Sequence, residues 1–117
     1  MTTENKLIAE FMGMDKERHT DGRYLFTTDM EEAKGIDTRF TEELYFHISW
    51  DWLMEVVYKI EEQQTYNGLF EFRIHIEKTL IVSSEDFTTY IESDGGNRFE
   101  NTYNAVIEFI KEYNKNK

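Results

Sequence analysis

The sequence predicts an α+β fold: a small antiparallel sheet of about three or four strands packed against two longer helices, with a short N-terminal helix beside them. Three observations lead there. Two segments, residues 49–61 and 99–113, repeat apolar side chains at helical spacing. Residues 70–77, FEFRIHIE, alternate strictly between apolar and polar. The connections that follow are too short for parallel crossovers, so a meander is the economical arrangement. At 117 residues the chain reads as one domain, 1–117, able to bury about two thirds of its unfolded surface.

Taken in order, residues 3–13 read as a helix that Thr3 caps and Gly13 ends, with Leu7, Ile8, Phe11 and Met12 on its apolar side. So short a helix must dock to be stable. Residues 14–46 are the least periodic. Residues 15–22 are polar and turn-like, residues 23–28 (RYLFTT) suit a strand, and DMEEAKG (29–35) suits a helical turn or a loop. Leu44, Tyr45, Phe46 and Ile48 suggest packing without a period. An unstructured stretch of about 30 residues is unusual in a compact domain, so ordered structure is expected here.

Ser49 is a good cap for the central helix, Asp51 and Glu55 suit the positive end of its dipole, and Asn67-Gly68 is the expected stop. Trp50 and Trp52 lie about 200° apart on that helix, so they point to opposite sides. Trp50 fits the stripe Leu53, Met54, Val57 and Ile60; Trp52 then needs a second surface, either another layer of the domain or a partner. Burial under the N-terminal helix is the favoured home for Trp52.

In residues 70–77, Phe70, Phe72, Ile74 and Ile76 form the apolar face, and Glu71, Arg73, His75 and Glu77 the wet one. Lys78-Thr79 is the expected turn, Leu80-Ile81-Val82 the start of a return strand, and residues 87–91 a third strand after 83–86. Asp94 through Asn97 break the sheet. Asn97 caps a final helix, Glu100 completing a capping-box-like pair, with the stripe Phe99, Tyr103, Val106, Ile107, Ile110 and Tyr113. Lys111, Lys115 and Lys117 suit its negative end.

Composition narrows the function classes. A net charge of −11 leaves no basic face for phosphates or anionic lipid, which argues against direct binding of nucleic acid or membrane. The acidity is spread along the chain with no acidic tail. It reads first as a solvated surface, and second as a face for a basic protein. The absence of cysteine excludes disulfides and thiolate metal sites. No segment reaches the ~20 apolar residues of a membrane span, and Glu4 and Glu10 around the first apolar run are wrong for a secretory signal, so the expected location is cytoplasmic. Seven tyrosines, nine phenylalanines and two tryptophans make disorder improbable, and such residues also anchor interfaces.

Chemistry-bearing patterns are few. His19, His47 and His75 lack the companions a structural zinc site needs. The row Glu71, Arg73, His75, Glu77 reads as exposed cross-strand ion pairs, with a polar binding face as the functional alternative. Asp51, between two tryptophans, is explained by the helix dipole. Gly95-Gly96 lacks any phosphate-loop pattern and reads as a turn. No serine has a nucleophile-elbow context. No cofactor or metal is expected, and an enzyme is less favoured than a binding protein.

The segments NKLIAEFMG (5–13), SWDWLMEVVYKIE (49–61) and TYNAVIEFIKEYN (102–114) resemble a group of small phage-associated and genomic proteins of the Bacteroidetes lineage. The resemblance touches roughly a third of the chain and carries over no functional residue. It implies a setting: a small intracellular accessory protein, of a kind that acts by binding or inhibiting a host protein. The expectation is thus an acidic protein-binding module with a basic partner and Trp52, Val56, Arg73 and His75 as interface candidates. A homo-oligomeric accessory protein is the second reading, and a hydrolase or metal enzyme the third.

Overall fold

The computed structural model describes residues 2–18, 20–28, 37–40, 44–65, 68–83 and 89–115. The fold is α+β, and the chain divides into two compact units, Met1–Glu55 and Val56–Lys117. His19, the 29–35 segment, Ser84 to Thr88, Asn67 and Lys117 lie outside the described residues, so the readings placed on them do too.

The first unit opens with helix α1 (Thr2–Phe11). Gly13, at φ 75°, ends it: Gly13 N–H donates to Glu10 O at 3.1 Å and Met14 N–H to Ala9 O at 3.1 Å, the paired bonds of a Schellman stop. Three strands follow, β1 (Asp15–Arg18), β2 (Tyr24–Thr28) and β3 (Asp37–Phe40), in an antiparallel sheet of that order. The polar stretch expected to turn at 15–18 is therefore a strand. All four of its residues are charged, which suits an edge that must not pair with other chains. The turn expectation holds further on, where the Asp21 side chain accepts from Arg23 N–H at 3.0 Å. Ile8, Ala9, Phe26, Leu44, Phe46, Trp52 and Leu53 are buried, and so is Asn5. The Asn5 amide donates to Leu44 O at 3.1 Å and lies 2.7 Å from His47 Nδ1, fixing the approach to the central helix.

Helix α2 (Trp50–Glu61) is capped by Ser49, whose hydroxyl accepts from Trp52 N–H at 3.4 Å. The two tryptophans do diverge, but in the reverse assignment: Trp52 is 3% exposed and Trp50 39%. The buried stripe is Trp52, Leu53, Val56, Val57 and Ile60, a 3.6-residue period that leaves Trp50 on its flank.

The second unit holds strands β4 (Gln64–Thr65), β5 (Gly68–Ile74), β6 (Lys78–Ser83) and β7 (Thr89–Asp94), an antiparallel sheet in that order. Helix α3 (Arg98–Lys115) lies against β6 and β7. The β5–β6 turn comes two residues earlier than the sequence suggests. His75 N–H donates to Lys78 O at 2.8 Å around Ile76-Glu77, and Ile76 is 74% exposed, not on the apolar face. The reason is Thr79: it pairs with Ile74, and its hydroxyl sits 2.9 Å from that of Thr102 on α3, so it belongs to the return strand. Thr102 itself donates to Arg98 O at 2.9 Å, which assigns the shared hydrogen to Thr79.

Asn97 caps α3 by accepting from Glu100 N–H at 2.8 Å. Buried Asn101 completes a clasp. Its amide donates to Glu77 O at 3.2 Å and Gly96 O at 3.0 Å, and its Oδ1 accepts from Gly96 N–H at 3.0 Å. A Cβ on Gly96 would fall 3.0 Å from Glu100 Cβ and 3.2 Å from Asn101 Oδ1, so any larger residue would make these atoms give by a few tenths of an ångström. Further along α3, Val106, Ile107, Phe109 and Ile110 are buried, each worth about 1.5–3 kcal/mol.

Candidate functional site

The second unit carries a groove of about 680 Å³ between the C-terminal half of α3 and strands β5 and β7. Its wall is a run of four aromatic rings. Tyr90 meets Phe70 edge-on at 5.1 Å, Phe70 meets Phe109 edge-on at 4.7 Å, and Phe109 stacks with Tyr113 at 6.2 Å. The inner rings are held by packing, whereas Tyr90 and Tyr113 are 45% and 38% exposed. Glu108 and Glu112, one turn apart on α3, add two exposed carboxylates.

A β-bulge sets Tyr90 in place. Ile81 pairs with Ile91 and Val82 with Thr89, so Tyr90 is the extra residue of β7. Plain alternation would send neighbours Tyr90 and Ile91 to opposite faces; the bulge re-aims Tyr90 to the α3 side, where it reaches Phe70. Glu92 pairs with Leu80 and alternates to the other face, so it borders the groove without aiming its carboxylate inward.

The chemistry available is recognition. Tyrosine faces attract cations, and nearby carboxylates strengthen that preference. The pairs Glu108–Lys111 (3.9 Å) and Glu112–Lys115 (3.4 Å) are exposed i,i+3 contacts, weak enough to exchange for a better-placed cation. Neither carboxylate sits in the apolar surroundings that general acid–base work requires. Among the described residues no three histidine, aspartate or glutamate side chains converge to hold a metal ion, and no helix is long and apolar enough to cross a membrane.

The interface candidates from the sequence fall elsewhere. Trp52 is interior, its ring 5.1 Å from Phe46 and 5.5 Å from Tyr45, with the Arg39 guanidinium 5.2 Å from its centroid. Val56 is fully buried. Neither offers a side chain to a partner, because both belong to the buried stripe of α2. Arg73 and His75 are exposed. Arg73 pairs with Glu71 on its own strand at 3.2 Å, and His75 borders a shallow depression of about 530 Å³ with Lys78 and Arg98. The groove residues Tyr90, Phe109 and Glu112 escaped sequence reasoning. The Tyr113 stripe position and the acid spacing 108/112 were its visible signal, and the bulge had none. Comparison with known proteins brings no match, whether to a family model, a curated protein or a solved structure.

Proposed function

We propose that this chain is an acidic protein-binding module that takes a basic segment of its partner into the aromatic groove of the second unit. The observation that carries the reading is the pairing of two half-exposed tyrosines, Tyr90 and Tyr113, with the carboxylates of Glu108 and Glu112 around one concave surface. A lysine or arginine side chain fits both features, lying over a ring while its charge meets a carboxylate. The net charge of −11 adds long-range attraction for such a partner and repels acidic ones. In the phage-associated setting that the resemblance implies, the partner is a basic host protein and binding acts as inhibition.

The test is fluorescence anisotropy with a labelled octapeptide of alternating valine and lysine. Binding should weaken about fivefold in Tyr113→Ala, the scale of a cation–π contact near the surface, and weaken further as salt rises. Wild-type affinity in both Tyr113→Ala and Glu112→Gln would remove the groove from the account.

A further inference from the structure

We infer that the basic segment is held as an added strand on the outer edge of β7. This rests on the groove reading and says how the partner's backbone is recognised. The parity of the sheet carries it. His75 N–H donates to Lys78 O, so residues 75 and 78 face each other as a hydrogen-bonded pair. Antiparallel ladders alternate such pairs with non-bonded ones, so Arg73 and Leu80 bond next, and Thr79 and Ile81 turn their backbone groups toward β7. Their partners Ser93 and Ile91 answer inward. Glu92 and Asp94 therefore direct their N–H and C=O groups outward. The other side of the sheet checks this parity independently. The same alternation sends Phe72 N–H off the outer side of β5, and there the Glu61 carboxylate accepts it at 3.1 Å. Among the described residues no strand lies beyond β7, and Glu92 and Asp94 are exposed.

Charge names the occupant. Tyr90 and Ile91 of β7 line the groove, so a strand laid along β7 passes its mouth. Glu92 and Asp94 flank that path. A second copy of this chain would set Glu92 and Asp94 against like charges, which opposes self-pairing. A partner strand that alternates apolar and basic residues instead sets its basic residues beside Glu92 and Asp94 on one face and turns its apolar residues to the rings of the groove on the other.

The same valine–lysine octapeptide tests this, with a valine–glutamate octapeptide as control, on the full chain and on Glu92→Gln and Glu92→Pro. Because Glu92 N–H points outward, proline there leaves the β6–β7 ladder whole. Bound valine–lysine peptide should slow amide exchange at Glu92 and Asp94 about tenfold. Glu92→Gln should weaken binding about threefold, as loss of one exposed charge does, and Glu92→Pro roughly tenfold, through the lost backbone bond. Equal affinity of the two variants with no amide protection overturns strand addition while leaving the groove reading in place, provided Tyr113→Ala still weakens binding. Failure of the peptide to bind the wild-type chain overturns both. Equal binding of the acidic control, or protection that grows with protein concentration alone, overturns the basic strand as occupant. If Glu92→Pro does not fold, amide exchange in the wild type decides.

Discussion

The two outer edges of the second unit's sheet are built from the same backbone and finished differently. On the β5 side, two residues of β4 cover Gly68 and Leu69, and Glu61 reaches from the end of α2 to accept Phe72 N–H. A strand arriving there finds Gly68 and Leu69 covered and the Phe72 N–H already taken. On the β7 side, among the described residues, no strand or side-chain cap covers the edge, and Glu92 and Asp94 put two charges on it. Side-chain capping closes an edge to every partner, whereas charge closes it selectively, to copies of itself and to other acidic chains. On the proposed reading the second device is the one that leaves a site. The β7 edge is also the one whose bulge turns Tyr90 into the groove, so the proposed strand addition and the proposed side-chain contacts meet on one strand.

The largest effect should come from a proline placed with the opposite parity to Glu92→Pro. Ile91 faces β6, so Ile91→Pro removes an inward ladder bond and should cost about 3 kcal/mol, read as a shifted urea midpoint. A variant as stable as wild type would show that Ile91, not Glu92, faces outward, and the contrast between the edges would vanish with it.

Asn101 comes next. It ties the chain leaving β7 at Gly96 to the β5–β6 turn at Glu77. Asn101→Ala removes the side-chain partner of three part-buried backbone groups and should lose about 1–2 kcal/mol. Amide exchange sharpens the comparison: Gly96 and the β7 amides should open faster, while Phe72 on the closed edge keeps its protection. Uniform acceleration at both edges would mean the clasp supports the whole sheet and has no special bearing on β7.

How much of this was readable beforehand follows from which signals are local. Periodicity in α2 and α3 and alternation in 70–74 are imposed by a single buried face, so they are written in neighbouring residues. The caps Ser49 and Asn97 and the stop at Gly13 are local too. The first sheet was mostly hidden, because β1 is DKER and is specified by pairing with β2, not by its own propensity. The stripe of α2 was given Trp50 in place of Trp52 because a period constrains which residues share a face, not which residue sits at the face's margin. The groove as an assembly was hidden for a different reason. Its rings come from β5, β7 and α3, and Tyr90 arrives there through a bulge, an insertion in register that one strand's sequence does not record. Asn101 and Thr102 are polar residues of a helix, and only the turn and the strand that meet them show why they are buried.

The smallest effect tests the closed edge itself. Glu61→Gln keeps an oxygen at the same reach but removes its charge, turning a charge-assisted bond to Phe72 N–H into a neutral one. Glu61 is half-buried, and the difference between the two kinds of bond is about 1 kcal/mol. That corresponds to roughly fivefold faster exchange at the Phe72 amide, with Glu92 and Asp94 unchanged. The valine–lysine peptide should still bind with one-to-one stoichiometry, because β4 continues to cover part of that edge. In Glu61→Ala the cap is gone altogether, and a second, weaker peptide site at Phe72 would demonstrate that a single carboxylate had kept the edge shut. An unchanged Phe72 exchange rate in both variants would assign the closure to β4 alone, and the two edges would then differ only in strand count.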